Sequence, residues 1–300
     1  MYYKSLYDNK DFGEILFDQN LRDYTTWGIG GPADVLVKPH TEDQLQNLLK
    51  FNHKNNIDTT IIGLGSNLLI TDKGIRGCVL VLADNYDEIS LNATELTALS
   101  GTSLKEASKY SIDKVLTGME EISGIPGTIG GAVAMNAGAY GREIKDICIN
   151  VKAFDLEGNK YNFTNDEMNF SYRHSKIFEM DLVVSSATFK LNEDTNNEAM
   201  EKYLDYTNRR ESKQPLEKKS AGSTFKRPVG SYASKLIDEC GLRGYRVGDC
   251  QVSEKHCGFV INEGNATSGE MLAFIDEVAS IVYDKTGFTL EREVKLIGEL

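Results

Sequence analysis

The segment from Ser123 to Gly141 reads SGIPGTIGGAVAMNAGAYG and carries almost no large side chain. Six of its residues are glycine and four are alanine. Glycine loses more conformational freedom on folding than any other residue, so such a segment indicates main chain at places where a side chain would be in the way. The obstacle is either another element packed closely against it or a ligand that lies on the backbone. We call this segment the small-residue run.

Length and composition are those of a globular protein with an ample core. The chain has 300 residues, 40% of them hydrophobic and 26% charged, and this length favours about two domains. The N-terminal stretch MYYKSLYDNKDFGE lacks the apolar region of a signal peptide. No stretch reaches the roughly 18 uninterrupted apolar residues of a membrane span. We therefore expect a cytoplasmic protein without membrane contact.

The cysteines argue against a disulfide framework and for a reducing compartment, because their number is odd and no C-x-x-C pair occurs. They are Cys78, Cys148, Cys240, Cys250 and Cys257. His256 lies between the last two, so a metal site is conceivable. No second ligand pair has zinc spacing, and we therefore expect small buried thiols and no bound metal.

The charge is uneven along the chain. A formal net charge of −12 disfavours wholesale nucleic-acid binding. Between residues 209 and 246, however, ten basic residues accompany only four acidic ones, a local excess of +6. This basic segment is either a solvated helix face or an anion site in an otherwise acidic protein, and the sequence leaves both readings open.

Hydrophobic periodicity predicts mixed helices and strands. Strand 34–39, helix 41–56 and strand 59–63 form a β-α-β unit, whose helix begins with a capping box of Thr41 and Gln44. Ser103 with Glu106 is predicted to open a helix at 103–116. The other predicted elements are strands near 77–82 and 95–100, a hairpin over 147–163, a strand at 182–191, helices at 197–213, 231–240 and 268–285, and strands at 257–262 and 288–297.

Two more glycine-rich segments accompany the small-residue run. GLGSN (63–67) follows a predicted strand and presents successive backbone N–H groups, which suits a phosphate. It is not a Walker loop, because no Gly-Lys-Ser/Thr follows, and it is not a dinucleotide fingerprint, because Leu68 occupies the third glycine position. Alone it is equally well a tight turn. Together with WGIGGPAD (27–34) and the small-residue run, it favours a long phosphate-bearing ligand such as a dinucleotide.

Five motifs occur in an order and spacing that resemble a known family. They are GLGSNLLI, SGIPGTIGGAVAMNAGAYG, FSYRHSKI, AGSTFKRP and LEREVKLIG. From Thr25 to Gly298 the chain resembles the bacterial UDP-N-acetylenolpyruvoylglucosamine reductase (MurB) family, in its shorter type II form. The resemblance implies an α+β protein. A split FAD-binding region of the vanillyl-alcohol-oxidase (PCMH) type, residues 1–200 with subdomains of about 1–95 and 96–200, would precede a substrate-binding domain at 201–300.

The resemblance also implies the cofactor and its position. The FAD pyrophosphate would lie on the glycine loop and the flavin against the small-residue run, so the missing side chains would leave room for the cofactor. We expect noncovalent FAD, because the histidines lie outside the three glycine-rich segments and those segments contain no cysteine. The positions carried over are Gly63, Gly65, Ser66, Asn67, Leu68, Ser123, Gly124, Gly127, Thr128, Gly130, Gly131 and Ala132.

In the family reaction, NADPH reduces FAD and reduced flavin then delivers hydride to the enolpyruvyl ether of UDP-N-acetylglucosamine, giving UDP-N-acetylmuramate for peptidoglycan. The resemblance makes Ser223 the proton donor, Arg173 the partner of the substrate carboxylate, and Glu293, chosen over Glu291, an assisting acid. Without the resemblance, these residues read as a loop serine, a surface ion-pair residue and a solvent-facing strand residue.

A tyrosine and several basic residues are candidates for binding the substrates. Candidate residues for binding substrate or NADPH phosphate are Tyr172, Lys226, Arg227 and Arg243. The partners expected are small molecules only, with the protein a monomer or a weak oligomer. A sugar oxidase on the same scaffold and a flavin-binding regulator without turnover stay as alternatives, since fold alone does not decide function.

Overall fold

A computed structural model describes residues 2–299. The chain forms two compact units that interleave along the sequence. Unit 1 contains residues 1–17, 34–64 and 77–209, and unit 2 contains residues 18–33, 65–76 and 210–300. The division into an FAD-binding region at 1–200 and a substrate-binding domain at 201–300 stays a prediction.

Helices and strands alternate irregularly, as expected for the α+β class. The helices are α1 Tyr2–Tyr7, α2 Glu42–Lys54, α3 Leu104–Asp113, α4 Ile129–Ala134, α5 Lys176–Glu179, α6 Ala199–Lys213, α7 Ala233–Glu239 and α8 Ser268–Thr286. The longer strands are β1 Glu14–Asn20, β2 Pro32–Lys38, β3 Thr59–Ile62, β4 Leu68–Ile70, β5 Ile75–Val81, β6 Ile89–Asn92, β7 Glu95–Leu99, β11 Cys148–Phe154, β12 Lys160–Thr164, β13 Val183–Lys190, β17 Cys250–Val252, β18 Val260–Asn262 and β19 Lys295–Ile297. The two-residue strands are β8 Leu116–Thr117, β9 Gly138–Ala139, β10 Arg142–Glu143, β14 Asn192–Glu193, β15 Lys219–Ser220 and β16 Arg246–Val247.

Two sheets organise the N-terminal two thirds of the chain. One has the strand order β1-β2-β5-β3, in which β3 and β5 run parallel. Helix α2 buries Leu45, Leu48 and Leu49 in the same core as Val35 and Leu80, as its apolar stripe predicts. The second sheet has the order β12-β11-β13-β7-β6, and its strand pairs are antiparallel.

Unit 2 is built on an antiparallel sheet with the order β15-β18-β17-β16. Trp27 is fully buried, and its indole N–H donates to the Val260 carbonyl at 2.9 Å. The Asn262 amide donates back to the Trp27 carbonyl at 3.0 Å. These bonds attach the early WGIGGPAD segment to strand β18. Helix α8 begins with a capping box of Thr267 and Glu270, and its apolar face packs in the same core as Trp27.

Helix starts test the capping predictions. Thr41 Oγ1 accepts from the Gln44 N–H at 3.2 Å, so this half of the predicted box is confirmed. The Gln44 side chain accepts from the His40 N–H rather than from Thr41. Ser103 occupies the N-cap position of helix α3 with Glu106 in the first turn, as predicted, but its side chain makes no cap bond. The backbone of Ser103 also forms an isolated bridge with Thr128.

The last predicted strands are shorter than expected. Strand 288–297 is reduced to Lys295–Ile297, which pairs in parallel with Leu68–Ile70. Before it, a single antiparallel bridge joins Phe225 to Arg292. Strand 257–262 begins only at Val260. Alternation predicted these residues as strand, but a strand also requires a partner of matching length, which Lys219–Ser220 and the segment before Pro228 do not supply.

Within residues 2–299, no helix has both the length and the apolar character needed to span a membrane.

Candidate active site

The glycine loop at 63–68 connects strand β3 to strand β4. A Cβ on Gly63 would lie 2.6 Å from Thr128 Oγ1. Gly65 has φ +65°, and a Cβ there would lie 2.0 Å from the Tyr24 carbonyl oxygen. Both glycines are therefore required by the packing of the protein itself, and Gly65 also by its left-handed backbone.

The second half of this loop lies against two later segments of unit 2. The Lys295 N–H donates to the Asn67 carbonyl at 3.0 Å, next to the point where Leu68 begins its pairing with β19. Asn67 Nδ2 donates to the Glu293 carbonyl at 3.5 Å. A Cβ on Gly222 would meet the Ser66 carbonyl oxygen at 4.0 Å. The loop predicted to hold pyrophosphate thus adjoins the segments that carry Ser223 and Glu293.

Segments 223–226 and 291–293 run antiparallel, and we call them the serine–glutamate pair. The Glu293 N–H donates to the Thr224 carbonyl at 2.9 Å, and the Lys226 N–H donates to the Glu291 carbonyl at 2.8 Å. Thr224 is fully buried; its N–H donates to Gly258, and its hydroxyl oxygen accepts from the Val260 N–H. Ser223 is exposed beside this fixed residue.

The two glutamates of LEREV have different surroundings. The Glu291 carboxylate is 70% exposed and pairs with Lys226 at 3.1 Å. Glu293 is half-buried, with its backbone bonded to Thr224 and Asn67. Alternation places both on one side of an ideal strand, so only tertiary contacts separate them. Glu293 stays the predicted acid.

The small-residue run has mixed reasons for its missing side chains. A Cβ on Gly130 would lie 2.9 Å from the Ser100 Cβ, and the Gly130 N–H donates to the Ser100 carbonyl at 2.8 Å. Close packing of helix α4 against Ser100 therefore explains why residue 130 is a glycine. Gly131 is exposed, and the nearest atom to a Cβ there is Thr128 Oγ1 at 3.7 Å. The protein leaves room at Gly131 that a bound group could use.

The serine and threonine hydroxyl groups of the small-residue run have hydrogen-bond partners within the protein. Ser123 is buried, and its hydroxyl donates to the Glu120 carbonyl at 2.7 Å. Thr128 caps helix α4 by accepting from the Gly131 N–H at 3.3 Å. Ala132 is buried, and the run begins with half-buried backbone at Gly124 and Gly127. These side chains shape the segment, so cofactor contacts here would fall to the main chain.

Arg173 lies in a tight reversal at residues 171–174, which we call the arginine turn. The Ser171 N–H donates to the His174 carbonyl at 3.1 Å, and the His174 N–H donates to the Ser171 carbonyl at 3.2 Å. Arg173 has φ +57°, a conformation rarely adopted by non-glycine residues. Its guanidinium lies 4.9 Å from the ring centroid of Tyr172, which is 50% exposed.

The basic segment 209–246 is largely neutralised by local partners. Lys226 pairs with Glu291, and Arg227 stacks over the Tyr232 ring at 4.1 Å. Arg243 binds both carboxylate oxygens of Asp238, at 3.0 and 2.7 Å, and donates to the Glu254 carbonyl. A substrate phosphate would compete with Asp238 for Arg243, whereas the Arg227 guanidinium caps an exposed aromatic face.

The cysteines are free and buried. Burial raises the pKa of Cys250 and of Cys257 to about 11, so neither is a reactive thiolate. His256, near both in sequence, accepts from the Gly258 N–H through Nδ1. Within the described part of the chain, no three His, Cys, Asp or Glu side chains are arranged to hold a metal ion.

Sequence reasoning missed Asn136 and Thr224. Thr224 lies within the motif AGSTF, and Asn136 is the one asparagine of the small-residue run. Asn136 is fully buried, and its side-chain amide bonds to Glu143, Lys145 and Ser171 in unit 1. A polar residue inside a stretch of glycine and alanine was the available signal, because a buried amide must find partners.

Two family models match the chain. One describes an FAD binding domain and covers residues 33–163. The other describes the C-terminal domain of UDP-N-acetylenolpyruvoylglucosamine reductase and covers residues 214–297. The predicted order, an FAD-binding region followed by a smaller C-terminal domain in an α+β chain, is confirmed.

Curated relatives carry the same name as the second model. UDP-N-acetylenolpyruvoylglucosamine reductase of Clostridioides difficile is 48% identical over 286 residues, which cover 95% of this chain and 94% of the relative. The protein of that name from Caldanaerobacter subterraneus is 43% identical over 287 residues, 96% of this chain and 95% of the relative. The crystal structure of the Thermus caldophilus reductase superposes with a TM-score of 0.80 at 33% identity, covering 94% of this chain and 98% of that structure.

Proposed function

The chain belongs to the UDP-N-acetylenolpyruvoylglucosamine reductase family, and we propose that it performs the family reaction with NADPH as the hydride donor. At the coarser level, it is an FAD oxidoreductase of peptidoglycan synthesis. The finer proposal comprises the electron donor, the path of the hydride and the residues that act on the substrate. The substrates would be NADPH and the UDP-linked enolpyruvyl ether.

The residues present fit FAD. We propose that the N–H groups of Gly65, Ser66 and Asn67 receive the pyrophosphate, as successive backbone donors do in anion-binding loops. The open, exposed position at Gly131 supports main-chain contact with the cofactor along the small-residue run. When bound, FAD supplies the redox chemistry: it takes up a hydride equivalent and returns one to the substrate vinyl carbon. The predicted noncovalent attachment remains part of this proposal.

We propose that Ser223 gives a proton to the substrate carbon next to the carboxylate. A serine hydroxyl is a weak acid, but carbon bearing carbanion character is basic enough to take its proton. Arg173 would pair with the carboxylate and stabilise the negative charge that develops as the carbon adjacent to it becomes enolate-like. Glu293 would orient the proton donor or the intermediate. Tyr172, Lys226, Arg227 and Arg243 remain candidates for binding the substrate or the NADPH phosphates.

The observation that carries this proposal is the serine–glutamate pair. Backbone bonds fix Thr224 against Glu293, and the Asn67 amide reaches the same Glu293 carbonyl. One small region of unit 2 therefore presents the exposed Ser223, the half-buried Glu293 and the loop expected to hold pyrophosphate. A proton donor next to a cofactor loop is what hydride addition to an enol ether needs.

Anaerobic stopped-flow absorbance near 450 nm tests the proposal. NADPH is expected to bleach the flavin of the wild type and of Ser223→Ala alike. The enolpyruvyl ether should then restore the absorbance rapidly in the wild type and slowly in Ser223→Ala, by a factor of about 100 or more, as expected for loss of a general acid.

Two further variants separate chemistry from folding. Ser223→Cys keeps an acidic proton at the same place and should recover part of the rate. Ser280→Ala removes an exposed serine from helix α8 and should behave as wild type. If only oxygen reoxidises the wild-type flavin, the protein is an oxidase; if NADPH never bleaches it, a role as a regulator without turnover replaces the proposal.

A further inference from the structure

We propose that Asn136 is a positioning residue for Arg173. This inference rests on the proposed function, because it assigns Asn136 the task of holding Arg173 where a substrate carboxylate can be bound. Both residues belong to unit 1, and the family resemblance assigned no role to Asn136.

The backbone conformation of the arginine turn is unfavourable in free energy. A non-glycine residue in the left-handed region costs on the order of 1–2 kcal/mol. Arg173 has φ +57°, and two backbone bonds between Ser171 and His174 close the turn. Strained backbone of this kind persists where neighbouring contacts determine it, and it is concentrated at functional sites. The contacts that hold the turn are therefore informative.

Asn136 supplies one such contact from beneath the turn. Its Nδ2 donates to the Ser171 carbonyl at 3.1 Å, the same oxygen that accepts from the His174 N–H. The other Nδ2 donor reaches Glu143 Oε2 at 3.0 Å, and Oδ1 accepts from the Lys145 N–H at 3.0 Å. The side chain thus uses both donors and its acceptor oxygen, and the residue has no solvent exposure.

This bonding pattern requires an amide. An aspartate at the same place would point acceptor oxygens at the Ser171 carbonyl and at the Glu143 carboxylate, so two attractions would become repulsions. Asn136 is itself rigidly placed, because it follows helix α4 with φ +41° and donates its N–H to the Val133 carbonyl. A second tether joins the same elements: the buried Ser175 hydroxyl donates to the Ala134 carbonyl at 2.8 Å.

The end of helix α4 therefore holds the arginine turn through the hydrogen bonds of Asn136 and Ser175. The beginning of the same helix is the Thr128 cap, which contacts the glycine-loop residue Gly63. One short helix links the candidate cofactor loop to the candidate carboxylate-binding arginine. Loss of the Asn136 donor should release Arg173 without removing any group that touches the substrate.

The test is Asn136→Asp in the full-length FAD enzyme, with Asn52→Asp as the matched control. Asn52 is also a buried asparagine of unit 1, bonded to Tyr7 and Thr59 in a different core. We expect Asn136→Asp to slow reoxidation of the reduced flavin by the enolpyruvyl ether at least about tenfold, as misplacement of a binding group does. Bleaching by NADPH should be unchanged, and Asn52→Asp should lower the Tm without this selective loss.

A double-mutant cycle separates positioning from general support. In an Arg173→Ala background, Asn136→Asp should slow reoxidation less than about twofold, because the residue it positions is absent. An equal factor in both backgrounds would overturn the inference. If Asn136→Asp does not fold, Asn136→Asp with Glu143→Gln removes the clash between carboxylates and still lacks the donor to Ser171.

Hydrogen exchange of the peptide that spans 170–176 supplies a readout that needs no turnover. Asn136→Asp should speed exchange of the His174 amide, whose acceptor is the carbonyl that Asn136 holds. Unchanged exchange of the His174 amide in Asn136→Asp would refute the positioning role, whatever the activity of that variant. Failure of the wild type to be reoxidised by the ether would instead refute the proposed function, while faster exchange would still support the structural part of the inference.

Discussion

The two regions that carry the candidate catalytic residues are built in different ways. The serine–glutamate pair is held by main chain: Thr224 bonds to Gly258 and to Glu293, and Lys226 bonds to Glu291. The arginine turn has two backbone bonds of its own, and the side chains of Asn136 and Ser175 add bonds from Asn136 to the Ser171 carbonyl and from Ser175 to the Ala134 carbonyl. We therefore expect the geometry of the first region to survive the loss of a side-chain group better than that of the second.

The largest effect should come from a Cβ in the glycine loop, which adjoins the serine–glutamate pair. Gly65→Ala places a methyl group 2.0 Å from the Tyr24 carbonyl oxygen at a left-handed position. We expect a loss of more than about 3 kcal/mol of unfolding free energy, the sum of backbone strain and overpacking. Chemical denaturation monitored by circular dichroism measures it.

Gly241→Ala is the matched control for strain alone, because Gly241 has φ +72° but nothing lies within 4 Å of its Cβ position. It should cost about 1–2 kcal/mol. Equal losses in the two variants would show that the close approach at Gly65 is unimportant.

A smaller effect should follow from removing one polar atom under Ser223. Thr224→Val keeps the shape of a fully buried residue and deletes the oxygen that accepts from the Val260 N–H at 3.0 Å. An unsatisfied buried donor costs about 1–3 kcal/mol. Urea denaturation should therefore shift its midpoint without a change in m-value, while flavin reoxidation persists because the backbone pairing remains. Reoxidation as slow as in Ser223→Ala would mean that the hydroxyl, not the main chain, holds the pair.

Gly131→Ala should change stability by no more than about 1 kcal/mol, because alanine is the better helix former and no protein atom obstructs it. If the cofactor uses this space, FAD affinity should nevertheless fall, measured by titration of flavin fluorescence into apoprotein. Gly269→Ala, at an equally open glycine of helix α8, should leave FAD affinity intact. Equal FAD affinity for wild type and Gly131→Ala would place the cofactor elsewhere.

The smallest predicted effect concerns pH. Burial lowers the pKa of His256 below its usual 6.5, and its neutral Nδ1 accepts from the Gly258 N–H beside the serine–glutamate pair. The unfolded chain therefore takes up a proton more readily than the folded one. Stability should fall as pH drops below 6.5 toward the lowered folded value, and hold above it.

His256→Gln should flatten this part of the profile, whereas replacing the exposed His40 should not. Thermal melts between pH 7 and pH 5 measure the slope. An unchanged slope in His256→Gln would assign the pH dependence to other groups.

Local patterns predicted most elements but not their ends. The stripe of Leu45, Leu48 and Leu49 located helix α2, and alternation located strand β13. Ser103 is the N-cap residue that its type predicts, yet its side chain makes no cap bond and its backbone also bridges to the distant Thr128. The final strand shrank to Lys295–Ile297 because strand formation depends on a partner that is distant in sequence. Propensity is local, and tertiary contacts override it at such points.

The candidate site divides along the same line. The motifs alone identified the glycine loop, the small-residue run and the family, because those features are contiguous in the chain. Strand alternation did not separate Glu291 from Glu293, for which only the family resemblance gave a choice. The motifs also did not show that Gly130 is packed on Ser100 while Gly131 is open. Those distinctions depend on neighbours tens to hundreds of residues away, such as Asn67 on Glu293 and Asn136 on Ser171. Residue types and spacing determine which groups are available; only folding decides which of them share a hydrogen bond, because that bond requires its two atoms within about 3 Å of each other.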